Sequence, residues 1–368
     1  MERFEYLIIG AGFAGAATAY QLTRRGVRDV LIIDQEAIPG FHASGRNAAI
    51  VRQCVPEPEV ARLTLEGADF IRNVPDDFPE PVSFKRTGSL LLGAGAGWAK
   101  LQNDAAIGRQ AGIELELWTP QQTKKHVPIL ERAEFDGALW CGSDGIVDIH
   151  ALLSGYLKAA AKSGARVQYN HAVRELRASS GDCEVVTSRD RFTAKVIVNA
   201  AGAWANQLAG LAGAKTLPMR PCRRHLFVSG ALSWVDKGWP FVWDTTHDIY
   251  FRPEGDGLLL CACDQEELPP GDPPVNGFVQ EVLAEKIQRH MPALSEVSIS
   301  RSWAGFRTLT SDGRFIIGWD QGVKSLFWVA GLGGHGMTTS AAVGELAADL
   351  LIAGRGKKAE AFAPGRFN

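Results

Sequence analysis

The chain has 368 residues, a length that suggests two packed domains rather than one simple core. Its 46% hydrophobic and 22% charged residues are ordinary for a globular enzyme. The formal net charge of -2 gives no electrostatic reason to expect nucleic acid or an anionic membrane as the main partner, so small-molecule chemistry is favoured.

The first elements of the chain read as strand, glycine turn, helix and strand. Residues 6–9 and 30–33 are continuous apolar runs typical of buried parallel strands, and residues 16–25 between them predict a helix. The turn, residues 10–15, matches G-x-G-x-x-G, in which glycines permit close approach of the backbone to a pyrophosphate. Asp34 ends the second strand, where an acidic side chain can bind ribose hydroxyls. The unit predicts dinucleotide binding without choosing between NAD and FAD.

The N-terminal sequence and the cysteines bear on location and metals. The first apolar run is far too short for a signal peptide or a membrane span, so we expect a cytoplasmic protein with no transmembrane segment. Of the six cysteines, only Cys261 and Cys263 lie close together, and no second pair completes a zinc site. We therefore expect reduced thiols and no metal.

The remaining elements alternate between helical and strand patterns. Helices are predicted by apolar residues at helical spacing, and strands by short apolar runs between Pro and Gly residues. The predicted helices are 57–73, 148–163 and 338–352, the last closed by Gly354; the predicted strands are 196–198, 327–330 and antiparallel segments within 79–116 and 219–300.

Four motifs resemble those of one flavoenzyme family. Residues 41–49 contain S-G-R-x-A-A, residues 198–204 are V-N-A-A-G-A-W, and residues 312–318 and 329–336 form two late glycine motifs. Together with the N-terminal fingerprint, they resemble the D-amino-acid oxidase superfamily from Glu5 to about Ala348. The nearest likeness is to the bacterial D-arginine dehydrogenase type, and glycine oxidase and sarcosine oxidase are more distant.

The resemblance implies an α/β fold with two domains. An FAD-binding Rossmann-like domain of the glutathione-reductase type would comprise residues 1–78, 142–215 and 305–368. A mostly antiparallel substrate-binding domain would comprise residues 79–141 and 216–304. The implied FAD-binding residues are Gly10, Gly12, Phe13, Ala14, Gly15, Asp34, Gln35, His42, Ser44, Gly45, Arg46, Asn47, Ala48, Ala49, Val173, Ala200, Ala201, Gly202, Trp204, Gly305, Arg307, Gly333, Gly334, His335, Gly336, Met337 and Thr338.

The attachment of the flavin is expected to be non-covalent. A histidine near the position of His42 bonds to the flavin in the dimethylglycine dehydrogenase branch, but residues 43–46 look more like the non-covalent branch. No cysteine follows Cys263, so the cysteinyl link of sarcosine oxidase is unavailable.

The resemblance also implies the reaction and its residues. A hydride leaves Cα of a small amine or amino acid for flavin N5, and the imine is then hydrolysed to an oxo acid and ammonia or amine. A substrate carboxylate calls for a planar guanidinium. Arg223, Tyr250 and Arg307 fall on the carboxylate-binding positions, although the sequence leaves Arg223 and Arg224 open as alternatives. His335 could orient the substrate or tune the proton balance, and the alternatives are that it caps the last helix or faces solvent.

The sequence departs from the D-arginine dehydrogenase pattern at two places. Gly88 stands where an acidic residue would hold the substrate guanidinium, and residues 53–56 lack the tyrosine of the expected lid. A buried cation without a carboxylate partner is costly, so D-arginine and D-lysine are not expected as substrates of that site.

Two other functions stay open. The same carboxylate clamp would serve an FAD-dependent 2-hydroxy-acid oxidoreductase, and a non-catalytic FAD-binding subunit is the alternative of another class. Either oxygen or quinone could accept the electrons. The sequence leaves open a peripheral contact with the inner face of the membrane.

Overall fold

The computed structural model describes residues 1–177, 181–353 and 360–367. The helices are α1 Phe13–Arg24, α2 Pro58–Arg72, α3 Ala96–Gln110, α4 Pro120–His126, α5 Ile149–Lys162, α6 Ala205–Leu211, α7 Gly277–His290 and α8 Ser340–Ala353. The strands are β1 Glu2–Ile9, β2 Val30–Ile33, β3 Ile50–Val51, β4 Phe84–Lys85, β5 Ser89–Gly93, β6 Glu116–Trp118, β7 Gly137–Cys141, β8 Gly145–Val147, β9 Arg166–Gln168, β10 Val173–Arg177, β11 Cys183–Thr187, β12 Arg191–Asn199, β13 Met219–Ser229, β14 Phe241–Asp244, β15 Ile249–Glu254, β16 Gly257–Cys261, β17 Glu266–Glu267, β18 Ile299–Thr310, β19 Ile316–Trp319 and β20 Leu326–Ala330.

The first sheet carries the predicted dinucleotide unit. Its order is β10-β11-β12-β1-β2-β9, and β20 pairs with β12 and β19. The strands β9, β2, β1, β12 and β20 run parallel. Both faces of the sheet are covered by helices, and successive side chains of each strand point to opposite faces. Ile8 joins the cluster that holds α1, α5 and α8, and Leu7 joins the cluster around Leu208 of α6.

The second sheet is mostly antiparallel and has nine strands. Its order is β17-β13-β16-β15-β14-β5-β7-β6, and β18 pairs with β13 over most of its length. One face packs against α7, where Phe227, Phe251 and Leu260 meet Leu283 and Ile287 in one apolar cluster. The opposite face turns toward the first sheet. A small three-stranded sheet, β3-β8-β4, joins the segment after β2 to the segment before α5.

The structure confirms the α/β fold class and the three predicted later helices, whose ends shift by one or two residues. The predicted end of the last helix at Gly354 lies outside the described residues. In the described parts of the chain, no helix is both long enough and apolar enough to cross a membrane.

One detail of the predicted architecture is wrong. The segments 79–116 and 219–300 were predicted from their strand patterns, but they also contain the helices α3 and α7. Within the mostly antiparallel sheet, β5 runs parallel to β14 and antiparallel to β7. The predicted division at residue 305 lies within β18, which stays paired with β13 as far as Thr310. The domain division remains a prediction.

Candidate active site

The glycine turn after β1 brings backbone groups into contact where side chains would collide. Gly10 has φ of +114°, and a Cβ there would lie 2.4 Å from the carbonyl oxygen of Ala200. A Cβ on Gly15 would lie 2.0 Å from the carbonyl oxygen of Gly10. Helix α1 begins directly after Gly12, which provides no side-chain cap. The first-turn backbone of α1 is therefore open to an anion, as in dinucleotide-binding folds.

Asp34 lies at the end of β2 beside this turn. Its carboxylate accepts hydrogen bonds from the backbone N–H of Ala11 at 2.7 Å and of Glu36 at 2.9 Å. Burial raises the pKa of Asp34, and these two hydrogen bonds oppose that effect. The two bonds fix the orientation of a carboxylate whose remaining lone pairs can accept from hydroxyl groups.

The loop of residues 41–49 is tied to the start of α1. Ser44 Oγ accepts a hydrogen bond from the Phe13 N–H at 3.0 Å. His42 Nε2 lies 2.9 Å from a carboxylate oxygen of Glu36, and its ring centre lies 4.5 Å from that of Trp204. His42 Nδ1 is buried and has no partner among the described residues. The loop thus lines the cleft beside the start of α1, and one ring nitrogen of His42 is left without a hydrogen-bond partner there.

The second sheet supplies the opposite wall of the cleft. In the register of the sheet, Arg224 of β13 faces Gly305 of β18, and Arg307 follows two residues later on the same face. Tyr250 of β15 pairs with Trp243 of β14, and its ring centre lies 6.4 Å from that of Trp243. The two-residue period of the strands therefore places two guanidinium groups, a phenol and aromatic rings on one surface.

The same period removes Arg223 from the site. The Arg223 side chain points to the other face of β13, where it donates to the Pro274 carbonyl oxygen at 2.8 Å and forms an ion pair with Glu266. It does not line the cleft. The geometry therefore gives no basis for Arg223 as a carboxylate ligand and makes Arg224 the candidate on this strand.

A single cavity of about 360 Å³ joins the two walls. All of the predicted site residues line it except Gly15, Gly45, Ala49 and Arg223. Gly15 and Gly45 support the lining residues from behind, because a Cβ on either would collide with a backbone oxygen. Ala49 has a left-handed φ of 58°. Arg224, the alternative to Arg223, also lines the cavity. Lining residues that were not predicted from the sequence include Glu36, Arg52, Gln207, Phe241 and Trp243.

The charge of the cavity is positive where Arg52, Arg224 and Arg307 line it. None of Arg52, Arg224 and Arg307 forms an ion pair with a carboxylate of the described chain, whereas Asp34 and Glu36 lie near the turn. Burial and the neighbouring Arg224 lower the pKa of Arg307. Burial and the charges of Arg52 and Arg307 also hold the pKa of His335 well below its ordinary value, so its imidazole is neutral at physiological pH.

The residues present fit FAD. The open start of α1, the Asp34 carboxylate and the close-packed glycines suit the pyrophosphate and ribose of a dinucleotide. Beyond them, Gly333 to Thr338 form a glycine-rich loop immediately before α8, whose backbone and helix start can stabilise negative charge on a reduced flavin. In the described parts of the chain, no cluster of side chains is suited to hold a metal ion.

Comparison with known proteins gives a consistent pattern. A family model of FAD dependent oxidoreductases matches residues 5–350. The chain is 27% identical over 401 residues to FAD-dependent oxidoreductase domain-containing protein 1 of Bos taurus, covering 96% of this chain and 82% of that protein. It is 26% identical to mitochondrial dimethylglycine dehydrogenase of Homo sapiens, covering 96% of this chain and 43% of that enzyme. The crystal structure of L-proline dehydrogenase from P. horikoshii matches with a TM-score of 0.90 and 25% identity, covering 100% of this chain and 98% of that chain.

Proposed function

Because the chain belongs to the family of FAD-dependent oxidoreductases, we propose that it oxidises the C–N bond of a small amino acid or carboxylated amine. Two of its relatives carry names of this chemistry, dimethylglycine dehydrogenase and L-proline dehydrogenase. FAD, when bound, supplies the hydride acceptor. The residues of the protein orient the substrate, stabilise its charges and control the protonation of the amine.

The single observation that carries the proposal is an unpaired guanidinium in the cavity. Arg307 is half-buried and no hydrogen bond links its guanidinium to another described residue. A buried cation without a partner is costly, and a substrate carboxylate would remove that cost through a bidentate pair. Tyr250 adds a hydrogen-bond donor because burial raises the pKa of its phenol well above the ordinary value and keeps it protonated. Arg307 and Tyr250 would thus fix one end of the substrate.

His335 is suited to the proton balance of the reaction. An amine must lose its ammonium proton before hydride transfer, and the positive charges of Arg52 and Arg307 favour the neutral form of both the amine and the imidazole. A neutral imidazole nitrogen can accept a hydrogen bond from the substrate nitrogen. We therefore assign His335 to orienting the uncharged amine.

The same positive charges disfavour substrates with a cationic side chain. The D-arginine dehydrogenase pattern requires an acidic residue at position 88, where this chain has glycine with φ of +77°. A Cβ at Gly88 would lie 2.1 Å from the ring of Trp140, so the backbone and Trp140 together exclude any side chain there. D-Arginine and D-lysine are therefore not proposed as substrates.

Anaerobic reduction of the bound flavin tests the proposal. The purified FAD-loaded protein is mixed with D- and L-amino acids, N-methylated glycines and 2-hydroxy acids, and the loss of flavin absorbance is followed. Bleaching by an amine class with release of ammonia or amine supports the proposal. Bleaching by hydroxy acids alone would replace it with hydroxy-acid oxidation, and no bleaching would favour a non-catalytic FAD-binding protein. Reoxidation by oxygen or by a soluble quinone then identifies the electron acceptor.

A further inference from the structure

The cavity contains more positive charge than one carboxylate requires. Arg224 and Arg307 are diagonal neighbours on the paired strands β13 and β18, and both line the same wall. Such neighbours have backbones about 7–8 Å apart, so their long side chains serve one small region of the cavity. The proposed function binds one carboxylate with Arg307 and Tyr250, so Arg224, the carboxylate-ligand candidate on β13, has no role in it.

Arg224 is a nearly fully buried cation with unused donors. Its Nε and Nη1 atoms are buried and have no partner among the described residues. The guanidinium makes one long hydrogen bond, from Nη2 to the Gln265 side chain at 3.4 Å. A structural arginine in a protein core is normally paired, as Arg223 is with Glu266 on the other face of the same strand. The contrast indicates that the partner of Arg224 arrives with a ligand.

Neighbouring groups of the protein do not supply that partner. The carboxylate of Asp264 is close enough to act on the charge of Arg224, but one of its oxygens accepts from the His225 N–H at 3.0 Å and the other lies 2.7 Å from His225 Nδ1. Burial raises the pKa of the Cys261 thiol, but a hydrogen bond with the Cys263 side chain and the charges of Arg224 and Arg307 outweigh burial and lower this pKa to about 6. A thiolate there would offset at most one of the charges and forms no hydrogen bond with Arg224 among the described residues.

We propose that the substrate is a short dicarboxylate, an amino or imino acid with a second carboxylate that Arg224 binds. The inference rests on the proposed function, in which Arg307 and Tyr250 hold the carboxylate next to the reacting amine. Arg224 then binds the second carboxylate and determines specificity for dicarboxylates. Phe241 and Trp243, which line the same wall, limit the room for a longer chain.

The first experiment compares substrates that differ only in this charge. The matched pairs are aspartate and asparagine, glutamate and glutamine, and iminodiacetate and its monoamide. We expect at least one dicarboxylate to reduce the flavin with a kcat/KM at least about 30-fold above that of its amide, the effect of losing one buried charge pair. Equal values within each reactive pair, or faster reduction by the amides, would overturn the inference and leave amine oxidation intact.

The second experiment assigns the selectivity to Arg224. In Arg224→Met, the dicarboxylate should lose about 30-fold in kcat/KM while the amide changes little, so that the pair becomes equivalent. Arg220→Met is the matched control because Arg220 is exposed on the same strand. An equal loss of kcat/KM for the dicarboxylate and its amide would show that Arg224 and Arg307 bind the same carboxylate. A shift in flavin reduction potential without a change in selectivity would assign Arg224 to the cofactor. Either result overturns the inference.

A binding experiment separates this inference from the proposed reaction. Succinate and glutarate cannot be oxidised as amines, and their monoamides are matched controls. We expect the diacids to raise the melting temperature of the FAD-loaded protein more than the monoamides do, and Arg224→Met to abolish the difference. If no amine reduces the flavin but this pattern appears, the proposed reaction fails and the dicarboxylate site stands. If the diacids and monoamides act alike, the site fails.

Discussion

Replacing Arg307 with methionine should weaken substrate binding without unfolding the protein. The Arg307 guanidinium forms no hydrogen bond with another described residue and lies near the like charge of Arg224, so the fold loses no pair when the charge is removed. Methionine keeps much of the apolar stem that packs beside Gly334. We therefore expect the melting temperature to stay the same or rise.

The loss of substrate affinity can be estimated from the interaction that disappears. Truncating one partner of a buried, hydrogen-bonded charge pair costs about 2–5 kcal/mol, which corresponds to about 30-fold to about 5,000-fold in kcat/KM. Most of the effect should appear in KM because the carboxylate is held before and during hydride transfer. Arg307→Lys should lie between the parent and Arg307→Met, since an ammonium keeps the charge but loses the bidentate geometry.

The assay is steady-state oxidation of the substrate found by flavin bleaching, with FAD content measured for each variant. Arg301→Met is the matched control because Arg301 lies on the same strand with its side chain 63% exposed. A KM within about twofold of the parent, in an Arg307→Met protein that retains FAD, would refute the carboxylate assignment. A loss of FAD in this variant but not in the control would instead place Arg307 at the cofactor.

Four further predictions follow from the site. Tyr250→Phe should lower kcat/KM by about 10-fold to 100-fold, as expected for one hydrogen bond to a charged group, with normal FAD content. Gly15→Ala should yield protein without FAD because the new Cβ would lie 2.0 Å from the Gly10 oxygen, whereas Gly210→Ala, with nothing within 4 Å, should keep its flavin absorbance. Because folding lowers the pKa of His335, the unfolded chain binds a proton at this residue more readily than the folded chain does. The contribution of His335 to the free energy of unfolding is therefore complete above about pH 6.5 and is lost as the pH falls. His335→Asn should therefore lose less melting temperature between about pH 7 and pH 5 than the parent. Acid denaturation should release all of the FAD into the supernatant, and flavin retained on the precipitated chain would contradict non-covalent attachment.

Local sequence patterns determined the elements of the dinucleotide unit. The apolar runs at 6–9 and 30–33 became β1 and β2 because buried parallel strands need continuous apolar residues. The glycines at positions 10 and 15 could be assigned from sequence because their spacing follows from the close contact of a strand, a turn and a helix. The family resemblance named Arg307, Tyr250 and His335, and the structure places all three in one cavity.

Helix α3 shows where local patterns fail. It contains Gly97 and Gly108, which reduce helix propensity and made this segment look like loops and short strands. Its glycines instead allow close packing, since a Cβ on Gly97 would lie 2.3 Å from Thr246 and one on Gly108 would lie 2.5 Å from Leu115. Tertiary contacts thus override a weak local preference.

The choice between Arg223 and Arg224 was made only by the tertiary structure. Both residues lie in one strand of β-forming sequence, and alternation says only that they face opposite sides. Which side is the cavity depends on where α7 packs and on how β13 pairs with β18, contacts between segments far apart in the chain. The sequence by itself determined the cofactor-binding fold and predicted that an arginine would bind a substrate carboxylate. The long-range packing of the two sheets decided which arginines line the cavity, because burial of one sheet face by a helix leaves the other face to form it.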